Sequence, residues 1–434
     1  MKPKINNIAA FTLFILGLSV SHIVLADSKT DVKTGGLNAI DDAADTDKRF
    51  WFKLNGQIKG DMTFYSGDTK DTRPSRPLRA TNTTFASGSF LRALELNFNG
   101  GLGKDLSYMI TLAAEGRENI DINDAYIKYT GLAKNVHIFI GQVPMPYGFE
   151  NSTSGKWISF LERTMPTADF STTFRLGAMV NAWGEMFAGT VALTQPKFRT
   201  RNTIANNNTI AGSMIEKSDR IGAAGRFIFS PVHTQVNGYH KVYHLSVGIR
   251  YQDEFDSFNG VPVNNVRFRA RPEARTGNTP FILDTGPFRA KNYMVYSSEA
   301  AWISGPFTLQ AEYGQGHVRR DHLLGNPIFR GWYAQASYIL TGESRVYNFP
   351  TGTLGRIIPK SPCGAWEIAV RRSYLNLNSL EINGGIAYNT GFALGWYADS
   401  NVRIFGNYIR SNFHPRGERK RIINIFGMRC QIVF

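Results

Sequence analysis

From Phe50 to its last residue the 434-residue chain consists of short runs in which apolar and polar residues alternate, separated by Gly, Asn, Asp, Ser and Pro. Side chains of an extended strand point to opposite faces in turn, so each run has one apolar and one polar face. In 401–410, Val402, Ile404 and Tyr408 share a face with Gly406, and Arg403 and Asn407 share the other. In 124–130, Ile127 and Tyr129 oppose Asp124 and Lys128, and in 220–229 Phe227 and Phe229 join Ala223 against Arg226. No hinge composition divides 50–434, which reads as a single all-β domain.

Alternation alone fits a water-soluble sandwich as well as a membrane barrel. The connections separate the two. Tight turns are expected at 100–105, 131–135, 182–184, Ser230-Pro231, Gly305-Pro306 and 398–400, and longer polar stretches near 66–89, 143–173, 195–219, 251–289, 317–328 and 412–420. Short turns at one end and long loops at the other are the rhythm of a transmembrane antiparallel β-barrel, here of about sixteen strands. The connection at 341–364 falls at the short-turn end by parity and is long, an irregularity that a wrong strand count would also produce. A barrel suits lipid because closure leaves no unpaired backbone edge.

The N-terminus agrees with export. Lys2 and Lys4 precede an apolar run from Ile8 to Val20, and Val24-Leu25-Ala26 forms a small-residue cleavage site, so 1–26 reads as a Sec-type signal peptide. Residues 27–49 carry six Asp and no periodicity and read as a flexible lead-in. The formal charge of +15 points to an anionic partner, and export argues against nucleic acid. Cys363 and Cys430 lie on separate expected strands and read as unpaired, which excludes a disulfide framework.

The last strand carries the sharpest local signal. Phe426, Met428, Cys430, Ile432 and Phe434 occupy one face, as a closing strand requires of its outer side. A terminal Phe after such a segment resembles the signature read by the outer-membrane assembly machinery. Candidates for interfacial aromatic girdles are Tyr126, Tyr129, Phe139, Tyr243, Phe392, Trp396, Phe405, Tyr408 and Phe426.

Ordered motifs extend the reading. Leu91-Arg92-Ala93-Leu94-Glu95-Leu96 with 101–105, Asp124 to Leu132, Gly141 to Glu150, Phe160-Leu161-Glu162-Arg163, Phe268 to Glu273 with Asp284-Thr285-Gly286, Thr341 to Arg345, Gly364-Ala365-Trp366-Glu367 and Gly395-Trp396-Tyr397 resemble the phosphate- and polyphosphate-selective porins of Gram-negative outer membranes. The resemblance implies a sixteen-stranded barrel, a homotrimer, and a third external loop folded into the lumen. It also implies rows of Arg and Lys along the pore, an aspartate near the constriction and no cofactor. The strand count independently makes 143–173 the third external loop. The sequence departs from the family at Val143, where a charged or polar residue is common, and at Ala93, where an arginine is common.

Nothing in the sequence spells a reaction. His240 and His244 share one strand face about 13 Å apart, too far to chelate one ion, and no phosphate loop, nucleophile elbow or zinc motif is present. The expectation is therefore no enzyme, metal or cofactor. Alternation assigns Lys53, Lys59, Lys128, Arg175, Arg226, Arg250, Arg371, Arg403 and Arg429 to the lumen, with Glu95, Asp124, Glu185 and Glu367 as acids that could merely pair with them. Loop three supplies Lys156, Glu162 and Arg163. Arg267, Arg269, Arg271 and Arg275 alternate in an external stretch, to gather anions at the mouth or to contact membrane lipid, lipopolysaccharide phosphate above all. The function expected is passive diffusion of small anions, phosphate or polyphosphate preferred. The alternatives are a general porin with weak anion preference and a structural or surface-binding barrel with a plugged lumen.

Overall fold

The structure is a computed structural model that describes residues 50–69, 84–115, 120–172, 174–195, 221–253, 257–258, 261–262, 265–276, 279–320, 324–415 and 419–434. The signal-peptide and lead-in readings, 1–26 and 27–49, lie outside the described residues.

Sixteen strands close into one antiparallel barrel. They are β1 (Phe50–Gly67), β2 (Gly88–Leu102), β3 (Leu106–Ala114), β4 (Ile120–Ala133), β5 (Val136–Pro144), β6 (Phe174–Trp183), β7 (Phe187–Gln195), β8 (Gly222–Val236), β9 (Tyr239–Asp253), β10 (Asn292–Ser304), β11 (Phe307–Arg319), β12 (Ile328–Ile339), β13 (Ala365–Ser379), β14 (Ile382–Tyr397), β15 (Val402–His414) and β16 (Arg421–Val433). Each pairs with its neighbour in sequence, and β1 pairs with β16 from Gln57↔Val433 to Gly67↔Ile423. The closure is completed by Gly56 and Phe434, whose backbones exchange bonds of 2.8 and 3.1 Å. Gly56 is needed there: a Cβ would lie 2.5 Å from both the Phe434 ring and the Glu95 carbonyl oxygen.

Alternation sets what faces out. Leu54, Ile110, Ile140, Val191, Leu193, Phe227, Leu245, Val247, Phe392 and Leu394 are all exposed on the outer wall. Apolar exposure this extensive is stable only against lipid. Phe426, Met428 and Phe434 of the closing strand are exposed on that wall, with Ile432 half-buried on the same face. Tyr129, Tyr243 and Phe392 also face out, but Tyr126, Phe139 and Phe405 are buried inside. Their position parity puts them with lumenal residues, and aromatic identity alone pointed the other way. Tyr126 and Phe139 pack with Met109, Val143 and Met179, and Phe405 lies 3.8 Å beneath the Arg403 guanidinium.

One turn is not where it was expected. Ser230-Pro231 lies within β8, at a register shift against β9. The turn falls instead at Asn237-Gly238, both with positive φ, 50° and 78°, which matches the twist of a two-residue hairpin. A proline that cannot donate to a ladder is tolerated at such a bulge.

The long connection 340–364 leaves the short-turn end of β12 and enters the barrel. It forms a small ladder, Tyr347–Asn348 with Thr353–Leu354. Its Tyr347, Phe349 and Leu354 pack on Phe149, Ala188, Ile228, Val242, Ala301 and Ile303. Its carbonyls are taken up by the wall: Asn181 donates to Pro350 at 2.9 Å, and Arg226 to Thr351 at 2.6 Å and Gly352 at 3.0 Å. The strand count was therefore right, and the irregularity is an inward-folded segment.

Candidate pore constriction

Between β5 and β6, residues 145–172 run across the barrel's interior, with short helices α1 (Phe149–Ser152) and α2 (Met165–Phe170). A backbone there must find partners for its polar groups, because no regular ladder supplies them. The inner wall does so from many sides. Glu312 on β11 accepts the backbone N–H groups of Phe149 at 3.0 Å and Glu150 at 3.3 Å. Gly148 (φ 72°) makes this approach possible, since a Cβ would sit 2.5 Å from the Glu312 carboxylate. Asn407 accepts from the Leu161 N–H at 2.6 Å, and Gln431 donates to the Lys156 carbonyl at 3.0 Å.

Most strand arginines assigned to the lumen serve as tethers. Arg371, wholly buried, donates to Glu150 at 3.3 Å, to Glu273 at 2.6 Å and to the Glu162 carbonyl at 3.2 Å. Arg250 reaches the Phe170 carbonyl at 2.7 Å and Thr172 at 3.0 Å, and Arg403 the Ile158 carbonyl at 3.0 Å. Arg226 is clamped on Glu299 at 2.6 Å. Arg429 grips Asp61 through two bonds of 2.6 and 2.7 Å and lies 3.4 Å from Glu162. Lys128 is wholly buried, Arg175 half-buried on the inner face of β6, and Lys53 exposed near the start of β1.

Beside these tethers runs an open passage of about 750 Å³, along β1–β4, β16, loop three and residues 269–275. Nine basic and six acidic described residues border it, an excess of three positive charges. Lys59, Lys156, Glu162, Arg163, Arg226 and Arg429 are among them, together with Arg269, Arg271 and Arg275 from the β9–β10 connection. Lys59 donates to the Gly155 carbonyl at 3.0 Å, and Arg163 to the carbonyls of Glu150 and Thr153 at 3.0 and 2.9 Å. Among the described residues no carboxylate comes within ion-pair distance of Lys59, Lys156 or Arg163. Burial pushes the Lys156 ammonium below its ordinary pKa.

The β9–β10 connection also turns inward. Arg269 and Arg271 hold their guanidinium groups 4.1 and 3.8 Å over the Phe281 ring, and Arg275 lies 3.8 Å from Glu115. Arg267 instead pairs with Asp284 and is exposed. The Arg269 N–H donates to Asp169 on α2 at 2.7 Å. Desolvation, aided by nearby Asp284, raises the Asp169 carboxyl to about 7.

Sequence reasoning missed Arg92. The register slips between Lys59↔Ala93 and Gly60↔Leu91, so Arg92 is the extra residue of a bulge. A bulge re-aims its side chain, and Arg92 reaches Glu162 at 2.5 Å and Glu115 at 3.1 Å. Burial by itself would raise the Glu162 pKa, but Arg92 and Arg429 outweigh it and hold the carboxyl well below the usual range. Arg345 was missed too, although it lies in a motif already singled out: it bonds the Trp157 carbonyl and pairs with Glu367 at 2.5 Å. Of the expected acids, Glu95 and Asp124 border the passage, while Glu185 is exposed in a turn. Among the described residues no cluster of three or more His, Cys, Asp and Glu is placed to hold a metal ion.

Residues 52–434 match the family described as phosphate-selective porin O and P. The chain belongs to that family. This porin is 25% identical to Porin O of Pseudomonas aeruginosa over 442 residues, which cover 92% of each chain. It is likewise 25% identical to an uncharacterized protein of Caulobacter vibrioides, over 87% of this chain and 76% of that one. Its fold is that of the anion-selective porin from Comamonas acidovorans (TM-score 0.52, 11% identity, 89% of this chain and 100% of that one). It is also that of the trimer form of OmpT from Vibrio cholerae (TM-score 0.51, 9% identity, 89% and 100%). The porin is thus an outer-membrane channel of a Gram-negative bacterium, with its short-turn end periplasmic and its long loops external.

Proposed function

We propose that this porin passes small anions by diffusion, with phosphate or oligophosphate preferred, and that loop three sets the preference. The observation that carries the reading is the trio Lys59, Lys156 and Arg163, which borders the passage with no carboxylate at ion-pair distance among the described residues. Two unit charges about 4 Å apart attract by roughly 4 kcal/mol at an effective dielectric of 20 but only about 1 in bulk water, so such cations act most strongly where the lumen is narrow. Arg269, Arg271 and Arg275 extend the positive lining toward the external side. Arginine offers phosphate a planar fork and lysine a mobile point charge. Glu95 and Asp124 border the same passage and weaken its attraction, as conduction requires of a site that must release its ion.

A general porin with weak anion bias is the second reading. It is favoured by the neutralisation of Arg92 by Glu162, Arg429 by Asp61 and Arg275 by Glu115. Millimolar phosphate should block chloride current through the purified protein in planar bilayers; undiminished chloride current would select the second reading. A plugged surface barrel fits less well with a lumenal cavity of about 750 Å³, and absence of liposome swelling would restore it. Diffusion needs no catalytic group, and none is assigned. Assembly as a homotrimer, handled through the terminal strand by the assembly machinery, is part of the proposal, supported by the trimer form of one outer-membrane protein of the same fold.

A further inference from the structure

The outer wall is not uniformly apolar. Along the middle of β6–β9 its exposed residues include Val180, Val191, Leu193, Phe227, Leu245 and Val247, as lipid contact demands. On β13–β16 one rung is polar across four adjacent strands: Arg372 pairs in register with Thr390, Thr390 with Arg410, and Arg410 with Asn424. Arg372 and Arg410 are exposed and on the lipid-facing parity. Below the rung, toward the periplasmic end, lie Ile368, Val370, Phe392 and Leu394. Above it stand Tyr374 and Tyr388, ring centroids 4.7 Å apart, in the manner of the aromatic residues that mark the lipid boundary. The rung therefore sits at the outer-leaflet edge of the apolar band.

A cation on the lipid face is costly unless something answers its charge. Among the described residues no carboxylate does so. Arg372 bonds the Thr390 hydroxyl and lies 5.4 Å over the Tyr388 ring, both neutral partners. Arg410 has no hydrogen bond or ion pair among the described residues. The two arginines stand two strands apart, about 10 Å at the backbone, a span that two long side chains close around one small anion. We propose that this rung binds a phosphate group of an outer-leaflet lipid, such as lipopolysaccharide, between Arg372 and Arg410. The proposal rests on the outer-membrane placement of the barrel and is independent of which anion permeates.

The test uses the full-length porin and lipid A, either diphosphorylated or dephosphorylated, with lipid retention read by mass spectrometry of the intact complex. Wild type should retain the diphosphorylated lipid about tenfold or more better than the Arg372→Gln/Arg410→Gln variant, with no difference for the dephosphorylated lipid and no change in conductance. The Arg372→Lys/Arg410→Lys variant should keep most of the binding. Equal retention of both lipids by wild type overturns the proposal even where the Gln variant does not fold. So does a variant that loses its oligomer while retaining lipid, which would make the rung a contact between copies of the chain. A folded, oligomeric Gln variant that retains the diphosphorylated lipid as well as wild type overturns the proposal too, whatever its ion selectivity.

Discussion

Inside this barrel some basic residues hold an inward-folded segment and others face the passage, and their partners tell the two roles apart. Arg371 is the clearest tether: among the described residues it is the cation in ion-pair contact with both Glu150 and Glu273, whose side chains are only 2% exposed. Arg371→Ala should destabilise the barrel by about 3–5 kcal/mol, because it strands buried carboxylates; urea titration of heat-modifiable gel mobility would read this, and a shift below about 1 kcal/mol would refute the tether. Lys156 is the contrasting case. Its ammonium is depressed by burial, so its charge is lost on raising pH before an ordinary lysine would titrate. Anion selectivity should therefore begin to fall below the usual lysine range, and Lys156→Arg should reduce that early decline. Lys156→Gln should cost on the order of 1 kcal/mol, roughly fivefold in permeability ratio, at pH values where the lysine is charged. An identical pH profile in the Arg variant would show that another group is responsible. Which inward arginines tether could not be read from sequence, because partners such as Arg371 and Glu150 are 221 residues apart and meet only through loop three.

At the scale of elements, period-two alternation carried most of the information. It placed Arg226, Arg403 and Arg429 on the inner wall and Phe426 and Phe434 on the outer. It failed where the period itself breaks. The bulge at Arg92 turns a nominally outward residue into a partner of Glu162, and the bulge at Ser230-Pro231 imitates a turn. Residues 341–364 were visible as too long for their place, but nothing in their composition said that they enter the barrel. That segment packs against β7–β10 and narrows the lumen, with Thr351 bordering the passage. Replacing 346–357 by a short Gly-Ser link should raise single-channel conductance and weaken anion selectivity; unchanged conductance would mean that the passage is limited elsewhere.

For the whole molecule, a closed wall with a lipid-facing outer surface solves the backbone problem and leaves function to what is folded inside it. Loop three, the β9–β10 connection and 341–364 turn a wide polar cylinder into a passage with three more basic than acidic described residues along it. That imbalance, concentrated where Lys59, Lys156 and Arg163 have no carboxylate at ion-pair distance among the described residues, is the basis of the selectivity. The zero-current potential across a planar bilayer holding the purified porin in a potassium chloride gradient tests it most directly. The account predicts a potential of the sign set by chloride, collapsing when Lys59, Lys156 and Arg163 are together replaced by Gln. A potential of the sign set by potassium in the unmodified porin would contradict it.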